Sequence, residues 1–191
     1  MQRTIRTEYY FKEEYTMENA VLHSLITRRS VRRYKPDPVP QELLDQVMEA
    51  GLYAASGMGR QGSVILQVTD KALRDRLMRL NAAVMGREDT DPFYGAPALL
   101  IVLSDRQYST YLYDGSLVMG NMMNAAHALG LGSCWIHRAR EEFNSPEGKE
   151  LLRTLGIKGD YEGIGNLIVG YPDGEIPEPK PRREGRVFYA K

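Results

Sequence analysis

The chain has 191 residues, of which 42% are hydrophobic, and its 25 lysines and arginines are balanced by 25 aspartates and glutamates. This length and apolar content suit one domain with its own core, and the zero net charge favours neither a nucleic-acid partner nor a membrane surface. Cys134 is the only cysteine, and no apolar run reaches the roughly 18 residues of a membrane span, so we expect a cytoplasmic protein without internal disulfides.

The N-terminal part of the chain divides at about residue 17. Residues 1–16 are polar, charged and aromatic without a clear period, and we interpret them as an extension, either a leader or a partner-binding arm. The remainder, residues 17–191, is expected to form a single domain. Apolar residues at helical spacing predict the first helix of that domain over 18–27.

Four arginines and a serine follow this helix in the stretch Arg28-Arg29-Ser30-Val31-Arg32-Arg33-Tyr34. Like charges this close repel one another unless an anion lies among them, and guanidinium groups bind phosphate or carboxylate bidentately. The alternative is a solvated helix end whose arginines contact backbone carbonyls and nearby acids. A second basic group, Lys180-Pro181-Arg182-Arg183, is typical of a solvated tail. The residues alone leave both interpretations of the arginine cluster open.

Helices and strands alternate along the next part of the chain. An apolar stripe predicts a helix over 40–53, and a loop of small residues and glycines follows over 54–62. A β-rich run then predicts a strand at 64–68. Asp70 is predicted to be the N-cap of a helix that reaches residue 81.

The most apolar segments lie in the second half of the chain. The run 98–103 predicts a fully buried strand. Residues 114–129 predict a helix that is hydrophobic on several sides, which is typical of a core or an interface. Asp114 is predicted to be the N-cap of this helix.

The last third of the chain contains shorter elements. Strands are predicted at 133–136 and 165–170, with a helix over 145–155 between them that opens in the order cap, first-turn proline, acid. Residues 172–191 are rich in proline and charge and are expected to lie across the fold or a second subunit. The pattern as a whole indicates an α+β domain.

No side-chain pattern in the sequence indicates acid–base, nucleophilic or metal chemistry. His23, His127 and His137 lack metal-ligand spacing, so we expect no metal site, and His127 is interpreted as a packing residue. Cys134 has no histidine–acid arrangement around it and is interpreted as a buried structural thiol. If the protein is an enzyme, its reactive group is therefore expected to come from a cofactor.

The order of five segments resembles the nitroreductase family of FMN-dependent flavoproteins, over about residues 18–183. The resemblance implies an α+β fold with three α/β/α layers, a central, mainly antiparallel sheet flanked by helices, and an intertwined homodimer with FMN at the subunit interface. The matching segments are Arg28-Arg29-Ser30-Val31-Arg32, Ala55-Ser56-Gly57-Met58-Gly59-Arg60-Gln61, Gly95-Ala96-Pro97-Ala98, the run from Asp114 to Ile136, and Val169-Gly170-Tyr171-Pro172 with Lys180-Pro181-Arg182.

The resemblance also implies roles for individual residues. Residues that would hold the FMN phosphate, ribityl chain and pyrimidine edge are Arg28, Arg29, Ser30 and Arg32. Residues that would close on the phosphate from the tail are Lys180 and Arg182. Residues that would reach FMN from the partner subunit are Ser56, Met58 and Gln61. Residues whose backbone would lie over the flavin ring, near its reactive N5, are Ile136, His137 and Arg138. No side chain is given a catalytic role, because the flavin carries the chemistry.

The chain departs from the family pattern in one loop. Gly59 stands where the family usually has asparagine, and Gly62-Ser63 stand where it has proline and a large aromatic residue. One flavin-ring contact of the family is therefore left open. The interface near Ser63 is expected to be less filled.

The implied activity is hydride transfer from NADH or NADPH to flavin N5, followed by reduction of a small-molecule acceptor such as a nitroaromatic, quinone or enone. Both substrates would use one surface in turn, which predicts ping-pong kinetics. Two alternatives stay open. One is a flavin-binding storage or sensor protein with little turnover, and the other is a non-flavin anion-binding or interaction domain, which would be colourless.

Overall fold

The computed structural model of the chain describes residues 19–190, so the extension predicted at residues 1–16 lies outside the described residues. The described part contains six α-helices, a short 3-10 turn and four strands. The helices are α1 (Ala20–Thr27), α2 (Gln41–Leu52), α3 (Lys71–Met85), α4 (Tyr111–Ala128), α5 (Ala139–Asn144) and α6 (Pro146–Thr154). The strands are β1 (Ser63–Val68), β2 (Ala98–Asp105), β3 (Gly132–Ile136) and β4 (Tyr161–Gly170).

The four strands form one sheet in the order β1-β2-β4-β3. Every neighbouring pair runs antiparallel, which confirms the predicted antiparallel sheet. Strand β2 occupies a central place because its side chains are apolar on both faces, and its first seven residues are all buried. Strand β3 is the last in this order and so lies at an edge of the sheet, where loops can approach it.

Helices cover both faces of this sheet, which confirms the three predicted layers. Leu100 and Val102 of β2 pack on one face with residues of α2 and α4. Leu99 and Ile101 point to the other face and pack with residues of α3, α5 and α6. This follows from the strand period of two, since neighbouring side chains of a strand point to opposite faces.

Two predicted helix caps are confirmed. The Asp70 carboxylate accepts a hydrogen bond from the Leu73 amide at 2.8 Å, at the start of α3. The Ser145 hydroxyl accepts one from the Gly148 amide at 3.0 Å, and Pro146 occupies the first turn of α6. Both side chains satisfy amide donors that a helix start leaves unpaired.

The N-cap prediction for Asp114 is wrong. Helix α4 begins at Tyr111, one turn earlier, so Asp114 lies inside its first turn and is buried. Its carboxylate accepts hydrogen bonds from the Gly57 amide at 3.0 Å and from the Thr110 hydroxyl at 2.9 Å. Asp114 therefore joins the loop before β1 to Thr110, the residue that precedes its own helix, instead of capping the helix itself.

Two boundaries and one helix differ clearly from the predictions. Helix α3 continues past residue 81 to Met85 and ends where Gly86 takes a left-handed φ of 69°. Strand β4 begins at Tyr161 rather than residue 165, and the short helix α5 was not predicted. The sequence did not indicate the first residues of β4 because they include glycine, which weakens strands. Glycine occurs there because other groups pack closely against the backbone.

The C-terminal tail leaves the sheet next to the arginine-rich segment. The Asp173 amide donates to the Arg33 carbonyl at 3.0 Å, and the Lys35 amide donates to the Tyr171 carbonyl at 2.9 Å. From Asp173 to residue 190 every residue of the tail is exposed. Within residues 19–190, no helix combines the length and the apolar character that a membrane span requires.

Candidate functional site

The arginine-rich segment runs beside the edge strand β3. Ser30 forms a parallel bridge with Ser133, and the Val31 amide donates to the Ser133 carbonyl at 3.0 Å. A Cβ on Gly132 would come within 2.9 Å of the Val31 side chain, so glycine lets the segment approach β3 closely. The first arginines are thus held between the end of α1 and the start of β3.

Arg28 and Arg29 present buried donors that have no acceptor. The atoms Arg28 Nη1, Arg29 Nε and Arg29 Nη2 are buried and make no hydrogen bond within the described residues. Arg29 uses its remaining Nη1 on backbone oxygens, including the Ile26 carbonyl at 2.8 Å. Burial lowers the pKa of Arg28, and the neighbouring Arg29 charge lowers it further. Unpaired buried donors are costly, so this arrangement is suited to an anion.

His127 of α4 lies close to the same positive charges. Its Nε2 lies 2.9 Å from the Thr27 hydroxyl. Burial lowers the pKa of His127, and the charge of Arg28 contributes in the same direction. The predicted packing role of His127 thus includes a hydrogen bond to the end of α1, and its ring stays neutral beside the arginines at neutral pH.

A second part of the candidate site is a cavity of about 360 Å³ at the other end of β3. Its walls include Arg32, the residues from Cys134 to Arg138, and the segment after α3 from Arg87 to Tyr94. Cys134 is buried, as the sequence predicts, and His137 is exposed. Arg138 adopts a left-handed φ of 78°, which is unusual for a residue with a side chain and marks a turn held in one shape.

Lys180 and Arg182, the predicted phosphate contacts of the tail, lie in its exposed part. The tail meets the arginine-rich segment earlier, where Arg33 pairs with Asp173 at 3.3 Å. The role of Lys180 and Arg182 therefore stays a prediction.

The loop that contains Ser56, Met58 and Gln61 lies at the surface. Met58 is 89% exposed, and Met58 and Gln61 have positive φ values of 56° and 52°. The loop is nevertheless held in place, because the Ser56 hydroxyl accepts from the Gln61 amide at 3.0 Å and Asp114 accepts from Gly57. A fixed loop with an exposed apolar tip is suited to contact with another molecule.

The glycine that replaces the usual proline in this loop has a packing reason. A Cβ on Gly62 would lie 2.4 Å from the Tyr108 ring. The same ring carries the Arg60 guanidinium 5.4 Å from its centroid. Tyr108 therefore fills the space beside Gly62 from within the chain, and the reduced filling expected at the interface near Ser63 stays a prediction.

Sequence reasoning missed a buried polar network behind the turn at His137 and Arg138. Glu142, Asn81 and Asn166 are each 0% exposed. The Asn166 amide donates to the Glu142 carboxylate at 2.8 Å, and the Asn81 amide donates to the other carboxylate oxygen. Because these residues lie on α5, α3 and β4, far apart in the chain, no local sequence signal indicates that they meet.

The family model described as the nitroreductase family matches residues 25–171 of the chain. This range contains the arginine-rich segment, the whole sheet and the turn at His137 and Arg138.

Individual relatives agree with the family match. A solved nitroreductase with bound FMN from Bacteroides fragilis superposes with a TM-score of 0.82 at 28% identity, covering 91% of this chain and all of that one. The FMN reductase [NAD(P)H] of Bacillus subtilis is 27% identical over 184 residues, which are 86% of this chain and 70% of that protein.

A third relative is matched over a shorter stretch. It is a Methanothermobacter thermautotrophicus protein with the provisional name NADH dehydrogenase/NAD(P)H nitroreductase, 28% identical over 119 residues. That match covers 60% of this chain, and the chain spans 59% of the length of that relative.

Proposed function

The chain belongs to the nitroreductase family, and from that premise we propose that it is an FMN-dependent oxidoreductase. In this proposal it takes a hydride from NADH or NADPH and reduces a nitroaromatic, quinone or similar small acceptor. The observation that carries the proposal is the pair Arg28 and Arg29, whose buried donors lack acceptors within residues 19–190. A ligand with a phosphate end supplies those acceptors.

The phosphate of FMN fits the electrostatics of this pair. Burial and mutual repulsion both work against the charge on Arg28 and lower its pKa. A phosphate dianion reverses both effects, because it offers several acceptor oxygens and two negative charges to the guanidinium groups. We assign Arg28, Arg29 and Ser30 to the phosphate and ribityl end.

The cavity at the end of β3 suits the ring end of the same ligand. Arg32, Ile136, His137 and Arg138 are among the residues that line it. We assign Arg32 to the pyrimidine edge and the backbone of Ile136, His137 and Arg138 to the ring. When bound, FMN supplies hydride acceptor and donor chemistry. The task of these residues is to bind the ring, orient it and limit the access of water.

A second copy of the chain is proposed to complete the site. Helix α1 buries none of its residues, and Val21 and Leu25 are 69% and 52% exposed. The start of α4 adds Tyr113, which is 73% exposed. Covering these apolar faces with a second subunit would bring its Ser56, Met58 and Gln61 loop to the ring. Lys180 and Arg182 are assigned to the phosphate.

The proposed kinetic scheme rests on one surface over the flavin ring that both substrates share. If the nicotinamide and the acceptor each stack on that surface, one must leave before the other binds. We therefore expect ping-pong kinetics, with parallel lines when initial rates are plotted in double-reciprocal form at several acceptor concentrations.

The test is to purify the protein, saturate it with FMN, remove unbound flavin and follow oxidation of NADH and NADPH. The proposal predicts tightly retained flavin and oxidation that accelerates when a quinone or a nitroaromatic is added. Retained flavin without acceptor-dependent oxidation would favour the storage or sensor alternative. A colourless protein that does not take up added FMN would contradict the proposal.

A further inference from the structure

The buried network around Glu142 has no part in the proposed chemistry, yet it contacts the wall of the cavity. Glu142 lies in the first turn of α5 and is fully buried. Its two carboxylate oxygens accept hydrogen bonds from the side-chain amides of Asn81 and Asn166. A buried carboxylate with a donor on each oxygen is held in one orientation.

Asn81 connects this carboxylate to the turn after β3. Its amide nitrogen also donates to the His137 carbonyl at 2.9 Å. Its side-chain oxygen accepts from Arg138 Nε at 3.0 Å. Asn81 thus joins Glu142 to both residues of the turn, and it explains how Arg138 is kept in its left-handed conformation.

The network can accommodate Glu142 in its protonated form as well as in its charged form. Burial raises the pKa of Glu142 to about 7, against the opposing effect of its hydrogen bonds to Asn166 and Asn81. Among the described residues, the charges that bear on Glu142 are those of Arg138, which favours the carboxylate, and Glu141, which opposes it. Asn166 Oδ1 is buried and makes no hydrogen bond to any described residue, so a reversed Asn166 amide would accept the proton of neutral Glu142.

We propose that Glu142 is a positioning residue of the site, which acts through Asn81 on the His137 carbonyl and the Arg138 guanidinium and places a negative charge behind the wall of the cavity. This inference rests on the proposed function, in which the same turn borders the flavin ring. A negative charge in a low-dielectric interior opposes the addition of electrons nearby. Charge near the ring is one of the ways in which a protein tunes a flavin.

The experiment compares the FMN-loaded native protein with Glu142→Gln, using Glu141→Gln as the matched control. Glutamine keeps the shape of the side chain, accepts from Asn81 and can donate to Asn166 Oδ1, so the variant is expected to fold. Glu141 lies on the same helix and is exposed, so its substitution removes the same charge outside the network. The readout is the midpoint potential of bound FMN as a function of pH.

The expected result is a positive shift of the midpoint potential in Glu142→Gln above neutral pH. We also expect the native protein to show a change of slope near pH 7 that the variant lacks. Glu141→Gln should keep this change of slope, moved to lower pH because the Glu141 charge opposes the Glu142 carboxylate. Equal shifts in both variants would overturn the proposal, because they would reflect net charge alone. An unchanged potential in Glu142→Gln would overturn it as well.

A flavin-free measurement separates this inference from the proposed function. In the FMN-free protein, the side-chain NMR signals of Asn81 and of Arg138 Nε–H are expected to titrate together near pH 7. They are expected to stay flat in Glu142→Gln. Failure to bind FMN would overturn the proposed function together with the inference, whereas normal FMN binding with flat native signals would overturn the inference alone.

Discussion

Buried charges of opposite sign lie near the two ends of strand β3, and they differ in how completely they are hydrogen-bonded. Beside its start, Arg28 and Arg29 have buried donors without acceptors in the part of the chain that the structure describes. Beyond its end, the Glu142 carboxylate has a donor on each oxygen. The same strand therefore borders guanidinium groups that keep unpaired buried donors among the described residues, and a carboxylate whose two oxygens each accept a hydrogen bond.

This difference separates a binding group from a positioning group. A fold that leaves buried guanidinium donors unpaired is less stable than it could be, unless a ligand completes them. A carboxylate that is already bonded has nothing to offer a ligand and acts on its neighbours instead. Removing an arginine of the pair should weaken FMN binding. Neutralising Glu142 should change how the stability and the flavin potential depend on pH.

The largest expected effect is on FMN affinity. Replacing Arg28 by alanine should raise the FMN dissociation constant by about 100- to 1,000-fold, which is the cost of removing one partner from a buried, hydrogen-bonded charge pair. The stability of the FMN-free protein should not fall, because the lost donor has no acceptor among residues 19–190. Flavin fluorescence titration and thermal unfolding measure the two quantities.

Arg33→Ala is the matched control for that substitution. Arg33 belongs to the same arginine cluster, but its side chain is 77% exposed and pairs with Asp173 at the surface. Exposed pairs contribute about 0–1 kcal/mol to stability. Equal losses of FMN affinity in Arg28→Ala and Arg33→Ala would show that general positive charge, rather than the buried pair, binds the phosphate.

The next effect concerns stability and pH. Because the pKa of Glu142 is raised from 4.5 in the reference state to about 7 in the fold, the folded protein binds one more proton than the unfolded chain between these values. The free energy of unfolding should therefore fall as pH rises through this window, by up to about 3 kcal/mol from this group. Denaturant unfolding at several pH values measures it.

Glu142→Gln should remove that dependence and leave the protein more stable than the native chain above pH 7. Glu141→Gln should keep the native slope. If the free energy of unfolding of Glu142→Gln kept the native dependence on pH, another group would titrate in this window. That result would contradict the role given to the Glu142 carboxylate.

A smaller effect should follow from inorganic phosphate. At matched ionic strength, phosphate should raise the melting temperature of the FMN-free protein over that in chloride, by a few degrees for about 1 kcal/mol of binding. Arg28→Ala should abolish the difference. A shift that survives this substitution would place the anion elsewhere on the protein.

Much of the fold follows from local pattern. The apolar run at the start of β2, and the caps Asp70 and Ser145, lie in the sequence positions that their elements require. The start of β4 was missed because its glycines are required by close tertiary packing, which leaves no local signal in the sequence. A Cβ would lie 2.1 Å from the Ala139 carbonyl oxygen at Gly163 and 2.2 Å from Trp135 Nε1 at Gly165.

The site was predictable only where its residues are neighbours in the chain. The arginine cluster is contiguous, so its charge density is visible in the sequence. Asp114 was misassigned because an acid near a helix start is equally suited to cap the helix or to anchor a distant loop. Glu142 and Asn81 are 61 positions apart, and only the packing of α3 against α5 brings them together.

The central claim is that the buried donors of Arg28 and Arg29 bind the phosphate of FMN. The most direct measurement is the affinity of the flavin-free protein for FMN and for riboflavin, which has the same ring and ribityl chain without the phosphate. We predict that FMN binds at least about 100-fold more tightly, and that Arg28→Ala removes most of this difference. Equal affinities for FMN and riboflavin in the native protein would contradict it.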